Sequence, residues 1–480
     1  MNFIFFMPDE LRAESIGCYG HPLAQTPNLD ALARQGTRFD QCHVQNTVCS
    51  PSRCSLMTGW YPHVSGHRTL WHLLRPHEPN LLRYLKQAGY DVHWYGKNDL
   101  LAAECFADSV TEARMCGRKA FGPPLYPPED PRFFSFLCEP YTAPLEEHTD
   151  YANVMAGIEF LRSRPKGPFV LYLPLLFPHP MYSAPEPWHS QIDPAAIPPL
   201  RPADLPRKPA YYRLIRETRH LELLSEDDFR RINAIYLGMT GFIDYLVGLL
   251  LDALAESGLE DDTAVFFFSD HGDWAGDYGL VEKWPNAMED ILTRVPLIVR
   301  LPGAASGHVV REPVELMDIF ATVMSLAGIE ARHTHFARDL TPQLRGAEGD
   351  PARAVFAEGG YARHEPHCFE GDARRDVFAR NKVNIYYPKG YVQQAYPDSV
   401  GRATMLRTAD AKLVYRPNGE SELYDLKADP LELHNLYGLP EHAALQTQLE
   451  QRLLRWLTET SDVVPFTEDP RGLPSGSAWG

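Results

Sequence analysis

Short apolar runs recur along the chain at residues 2–7, 91–95, 169–173, 263–268 and 296–301. Their length and their aromatic and β-branched content predict strands. Between them, apolar positions return at helical spacing over residues 28–35, 80–88 and 314–326. The longest such stretch covers residues 226–256, where Ile232, Ile235, Tyr236, Met239, Phe242, Ile243, Leu246 and Leu249 fall on one stripe. Ser225 stands three residues before Asp228 at its start, a capping-box pattern. Strands alternating with helices predict an α/β fold, a large mostly parallel sheet sandwiched by helices.

After about residue 345 the texture changes. Residues 346–400 are rich in Gly, Arg and His without a clear period; strand-like runs follow at 412–416 and 422–426, then an amphipathic stretch at 442–458. This pattern predicts a smaller α+β subdomain over residues 346–480, packed on an α/β domain over residues 1–345. Residues 470–480 are expected to be extended. There are no internal repeats, and 480 residues suffice for both parts.

Composition changes this picture little: 44% hydrophobic and 23% charged residues are ordinary for a globular chain. The 42 prolines cluster at residues 121–131, 174–187 and 197–209, where they predict ordered loops over a scaffold. The formal net charge of −17 argues against nucleic acid and anionic membrane as partners, since both need a basic footprint. It leaves room for a small anionic substrate, because a few local cations and a metal can reverse the field in one pocket. The opening Met1-Asn2-Phe3-Ile4 lacks a cationic leader, and no apolar run is read as a membrane span, so a soluble, cytoplasmic protein is expected. The eight cysteines show neither CxxC pairing nor zinc spacing and read as reduced thiols.

In open parallel sheets, ligands sit at the carboxyl ends of strands. Asp9 and Glu10 follow the first strand directly after Pro8, and Asp270 and His271 end the apolar run Val265-Phe266-Phe267-Phe268. Carboxylates and an imidazole at such ends suit a divalent cation, but on spacing alone the signal is weak, because a strand end is also a routine place for helix caps. Residues 49–59 read CSPSRCSLMTG, a turn feeding a helix that places Cys49 near a helix N-terminus. Arg53 lies one turn on, on the same face. By itself, Cys49 reads as a buried structural cysteine at a helix start, the commoner case for a cysteine there.

Cys49-Ser50-Pro51-Ser52-Arg53, continued by Met57-Thr58-Gly59, resembles the signature of the type I sulfatases of the alkaline phosphatase superfamily. The resemblance extends in order along the chain: Asp9-Glu10-Leu11-Arg12 with Gly17-Cys18-Tyr19-Gly20, Thr26-Pro27-Asn28-Leu29-Asp30, Ser269-Asp270-His271-Gly272, Gly276-Asp277 with Lys283, and Glu422-Leu423-Tyr424-Asp425-Leu426. It implies that a maturation enzyme oxidises Cys49 to formylglycine, whose hydrate attacks sulfur and then collapses to release sulfate. It further implies one divalent cation, Ca²⁺ foremost and Mg²⁺ or Mn²⁺ as alternatives, held by Asp9, Glu10, Asp270, His271 and the residue 49 oxygen. Arg53, Lys97 and Lys283 are implied as cations around the sulfate, and His179 as the group that protonates the leaving oxygen with Lys283. Asp99 stands where the family's Gly-Lys-x-His has its histidine, so the elimination base falls to Asp99 or to His67 from the loop around residues 61–68. The expected activity is sulfate ester hydrolysis on a small substrate, with residues 60–75, 181–219 and 358–372 forming the pocket and a homo-oligomer left open. The chain is also similar to the related phosphonate monoester hydrolases, which makes phosphonate monoester or phosphodiester hydrolysis the alternative. A non-catalytic anion-binding protein, with Cys49 a thiol or paired with Cys54, is the alternative of another class.

Overall fold

The computed structural model describes residues 1–371, 381–464 and 466. Its centre is an eight-stranded sheet. The strands are β1 (Asn2–Asp9), β2 (Thr37–Phe39), β3 (Asp91–Tyr95), β4 (Glu112–Arg114), β5 (Phe169–Pro178), β6 (Thr263–Phe268), β7 (Leu297–Arg300) and β8 (His308–Val310). They lie in the order β8-β2-β7-β6-β1-β5-β3-β4. All adjacent pairs are parallel except those of β7, which runs antiparallel to both neighbours.

Strands β1 and β6 are buried at every position because both faces are covered, and their middles, Phe3–Met7 and Ala264–Phe268, are apolar throughout. Successive side chains of a strand point to opposite faces. Ile4 and Phe6 of β1, with Val265 and Phe267 of β6, enter one core together with α1 (Pro27–Gln35), α4 (Thr149–Arg162) and α5 (Glu226–Glu256). Phe3, Phe5 and Met7, with Phe266 and Phe268, enter the other. That second core also takes α2 (Cys49–Thr58), α3 (Leu81–Gln87) and α6 (Asp318–Ala327).

The capping box at the start of α5 is formed in both directions: Ser225 Oγ accepts from Asp228 N at 3.1 Å and Asp228 Oδ2 accepts from Ser225 N at 2.8 Å. Ser225→Ala is therefore expected to cost about 1 kcal/mol, read from denaturant unfolding. Among the described helices α5 is long and apolar enough to cross a membrane, which the sequence reading denied; 78% of its apolar window is buried inside the fold.

Three further expectations are corrected. The helix expected over residues 314–326 begins only at Asp318. Val314 and Glu315 instead pair with Cys42 and His43 in a small three-stranded sheet completed by Arg294–Val295. Asp318 Oδ2 accepts from Glu315 N at 2.9 Å and turns the chain from strand to helix. Strands β2, β4 and β8, which the sequence did not reveal, are three residues each, too short to show a period. Two strands were also missed in the irregular stretch after residue 345.

The C-terminal subdomain is a four-stranded antiparallel meander of β9 (Val355–Gly359), β10 (Ala403–Arg407), β11 (Ala411–Tyr415) and β12 (Glu422–Asp425). Helix α7 (Tyr387–Ala395) precedes β10, and α8 (Ala443–Thr460) follows the meander. Leu449, Leu453 and Trp456 of α8 enter the second core, with the Trp456 ring stacked 4.5 Å above Phe356. The subdomain is thus fastened to the large sheet through apolar contact. The extended segment expected at residues 470–480, and residue 372 of the third pocket loop, lie outside the described residues.

Candidate active site

β1 and β6 are neighbours and run parallel, so Asp9 and Asp270 emerge side by side at the same edge of the sheet. Glu10 follows with φ at 65°, the left-handed region that a glutamate occupies at a cost. The surroundings hold it there. Glu10 N donates to Asp270 Oδ1 at 3.2 Å, Leu11 N donates to Ser269 Oγ at 2.9 Å, and Tyr236 Oη donates to the Glu10 carbonyl at 2.5 Å. The turn aims successive carboxylates, Asp9 and Glu10, into one buried space.

α2 brings Cys49 to the same place. Its N-cap is Val48, extended and without a side-chain cap, so the first turn leaves its N–H groups toward the site. Cys49 Sγ lies 3.5 Å from Asp9 Oδ1, 3.2 Å from His271 Nε2 and 3.8 Å from Lys97 Nζ. Arg53, 1% exposed, donates from Nε to Asp270 Oδ2 at 2.7 Å and from Nη2 to Asp9 Oδ2 at 3.0 Å. Its Nη1 has no partner among the described residues. His271 Nδ1 donates to the Gly272 carbonyl at 2.9 Å, which leaves Nε2 as the ring nitrogen facing Cys49.

Lys97 is delivered by the turn after β3. Gly96 has φ at 139°, and a Cβ there would stand 2.1 Å from the Pro174 carbonyl oxygen, so only glycine fits. Lys97 Nζ then reaches Asp9 Oδ2 at 2.5 Å and Asp99 Oδ2 at 2.8 Å. His179 donates from Nδ1 to the Pro180 carbonyl at 2.6 Å, while its Nε2 lies 3.0 Å from Lys283 Nζ and 3.1 Å from Glu10 Oε1. Lys283 also contacts Glu10 directly.

The charges follow from this packing. Burial alone would raise the Asp9 carboxyl, but Lys97 and Arg53 outweigh it and hold the group well below the usual range. Burial pushes the Cys49 thiol well above its ordinary value, and Asp9 adds to this. An unmodified Cys49 is therefore a protonated thiol and a poor nucleophile. Burial and then Lys97 drive His179 down to about 3, so the imidazole is neutral. This corrects the expectation that His179 itself holds the acidic proton near neutrality. Burial and the Lys389 ammonium bring Lys283 down to about 7, which makes it the proton carrier of the pair.

The donor set fits a divalent cation. Asp9, Glu10, Cys49 and His271, all buried, each offer one ligand atom, and these atoms lie within 4.8 Å of one another. Glu10 Oε2 is buried with no partner among the described residues, a position that calls for a cation. Asp270 stands beside this group with its oxygens taken by Arg53 and the amides of Glu10 and His271.

His67 is not brought to the site. Its Nδ1 bonds the His72 carbonyl at 2.6 Å and its Nε2 bonds Glu78 Oε1 at 2.8 Å, and it does not line the cavity over Cys49. His67→Ala is expected to destabilise the fold by about 1–3 kcal/mol, because it takes one of three donors from the buried Glu78 and leaves the His72 carbonyl without its bond from Nδ1. Turnover should shift by less than about threefold, checked by denaturation and steady-state kinetics on one preparation.

Residues 1–329 match the family model described as Sulfatase, well over half the chain. The chain belongs to the sulfatase family. Residues 363–459 match a second model, the C-terminal region of N-sulphoglucosamine sulphohydrolase. This sulfatase is 27% identical to the multifunctional alkaline phosphatase superfamily protein PehA of Trinickia caryophylli, over 98% of this chain and 96% of that one. It is likewise 27% identical to the N-acetylglucosamine-6-O-sulfatase of Bacteroides thetaiotaomicron, over 94% and 85%. Its fold matches the phosphonate monoester hydrolase of Agrobacterium radiobacter with a TM-score of 0.76 at 23% identity, covering 96% of each chain. Membership of an enzyme family disposes of the non-catalytic anion-binding reading, and no disulfide joins Cys49 to Cys54.

Above residue 49 the sulfatase has a cavity of about 400 Å³. Lys97, Asp99, His179 and Lys283 line it together with Leu70, Trp71, Glu370, Tyr386 and Lys389. Of the latter, residues 70, 71 and 370 fall in the pocket loops read from sequence. Tyr386 and Lys389 were missed; they sit at the start of α7, in a stretch without periodicity, where no local signal marks them.

Proposed function

We propose that this sulfatase hydrolyses a sulfate ester with residue 49, as formylglycine, for nucleophile and a divalent cation alongside it, releasing inorganic sulfate. The observation that carries this is that Arg53 and Lys97 meet on Asp9, 3.5 Å from a Cys49 whose own thiol is held protonated, while Lys283 lines the cavity over it. Formylglycine supplies a hydrated aldehyde where a thiol would be inert. The cation supplies acidity to an oxygen ligand and draws charge from a sulfuryl oxygen, and Asp9, Glu10, His271 and residue 49 would hold it with Asp270 in support. The maturation enzyme that converts Cys49 is a required partner in this reading.

The chain's own side chains do the rest. Arg53 Nη1 and the Lys97 ammonium are donors already fixed in a water-poor site, so they stabilise charge on sulfuryl oxygens without reorganisation. Lys283 gives a proton to the leaving oxygen directly or through His179 Nε2. Asp99, held at Lys97 and ionised by it against the effect of burial, replaces the histidine as the acceptor available for the second step.

A sulfate monoester and a phosphonate monoester are both tetrahedral monoanions, and the Asp99–Lys97 pair in place of the family's Gly-Lys-x-His keeps the second reaction open. Rates on 4-nitrophenyl sulfate and on a phenylphosphonate monoester, with residue 49 confirmed as converted, decide between them. A large phosphonate preference removes the sulfate assignment. Chelation is expected to abolish turnover and also to lower stability by about 3 kcal/mol when the ion had been present at about 100 times its Kd. Thermal unfolding with and without added Ca²⁺, Mg²⁺ or Mn²⁺ checks this.

A further inference from the structure

Part of the cavity wall is built from residues that the reaction does not use, among them Trp71 and Glu370. Arg68 clamps the loop carrying Trp71 to the segment carrying Glu370, pairing with Glu365 at 2.5 and 3.1 Å. The backbone of Glu370 is pinned to α7 by Gln393 at 2.8 Å and Gln394 at 3.2 Å. Its side chain is 10% exposed; Oε2 pairs with Lys389 at 3.4 Å, while Oε1 is buried without a partner among the described residues. Trp71 Nε1 is a second shielded polar atom of a lining residue without a partner among the described residues. One is an acceptor and the other a donor, and leaving either unmet is costly.

We infer that Glu370 and Trp71 determine specificity by reading a hydroxyl on the alcohol half of the ester. The inference rests on the hydrolytic reading above. A hydroxyl both donates, to Glu370 Oε1, and accepts, from Trp71 Nε1–H. An ammonium offers no acceptor to Trp71, and a plain aryl or alkyl group meets neither atom. The faces of Trp71, Leu70 and Tyr386 supply the apolar contact that the carbon skeleton of such an alcohol needs. The substrate class is accordingly a hydroxylated alkyl or ring sulfate of one-ring size.

The test compares cyclohexyl sulfate with its monohydroxylated isomers on protein whose residue 49 is converted. At least one hydroxylated isomer should exceed the parent in kcat/KM by about 10- to 100-fold. Trp71→Phe keeps the ring and removes the donor. Glu370→Gln keeps the shape, but Lys389 draws the amide oxygen and leaves an NH₂ group where the acceptor stood. Each variant should bring the ratio of hydroxylated to parent ester to within about threefold of unity, the hydroxylated member falling far more than the parent. No preferred isomer, or an equal fall on all esters, overturns the inference. If no sulfate ester is turned over while phenylphosphonates are, it is the sulfate assignment that fails. The same ratio measured with cyclohexyl and hydroxycyclohexyl phenylphosphonates then decides the inference separately.

Discussion

Cys49→Ala protein is expected to fold and to lose turnover by a factor of about 10⁴ or more, because the nucleophile is gone while the cations and the acid remain. The structural cost is small. Cys49 is the first residue of α2, alanine is a good helix former, and losing one buried sulfur costs about 1 kcal/mol. The wild-type peptide spanning residue 49 should show loss of one sulfur and two hydrogens and gain of one oxygen, and activity should rise in proportion to the converted fraction. Thiol-only protein should be inactive, since Asp9 and burial keep the sulfur protonated. A Cys49→Ala variant as active as wild type, or full activity in protein with no converted peptide, removes formylglycine from the mechanism.

The parts of this molecule legible in the sequence are those where one residue's identity decides its place. β1 and β6 could be found because both faces of the sheet are covered, so their apolar runs are unbroken. α5 declared itself through its stripe and its Ser225–Asp228 cap. The motif-bearing residues Asp9, Glu10, Cys49, Arg53, Lys97, His179, Asp270, His271 and Lys283 all lie at strand ends, at the α2 N-terminus or in turns beside them, and the fold gathers them. Long-range packing was not legible. His67 looked like any loop histidine until Glu78 and the His72 carbonyl took both its nitrogens. Lys389 and Tyr386 reach the cavity only because α7 docks there, and Glu315 and Asp318 split an apolar run through a bond between them. The role of His179 came from the resemblance, which carries no information on the burial beside Lys97 that lowers its proton affinity.

Arg53→Met should be the most destabilising of the site substitutions, by about 3–5 kcal/mol, because it leaves two fully buried carboxylates, Asp9 and Asp270, without the guanidinium that bridges them. Packing volume is largely kept, so the loss is one of charge. Arg53→Lys should fall between, since a single ammonium cannot bond Asp9 Oδ2 and Asp270 Oδ2 in the fork geometry that Nε and Nη2 provide. The sign with pH follows from the carboxylates. In the wild type, Asp9 is held well below its ordinary value, so its contribution is present above the unfolded value and is lost as pH falls through the lower folded value. Burial and Asp9 already hold Asp270 above its ordinary value; without Arg53 it is pushed further up and Asp9 loses one of the two cations that lower it, so protonation then relieves the native state. The gap between variant and wild type should therefore be widest near about pH 7 and narrow toward about pH 5, measured by urea unfolding of chelated protein so that no ion replaces the missing charge. Turnover with the ion restored should fall by about 10²–10³ through loss of a fixed donor to the transferring group. A stability gap that stays constant with pH would assign Arg53 to packing and remove the electrostatic account of how α2 is locked onto the ends of β1 and β6.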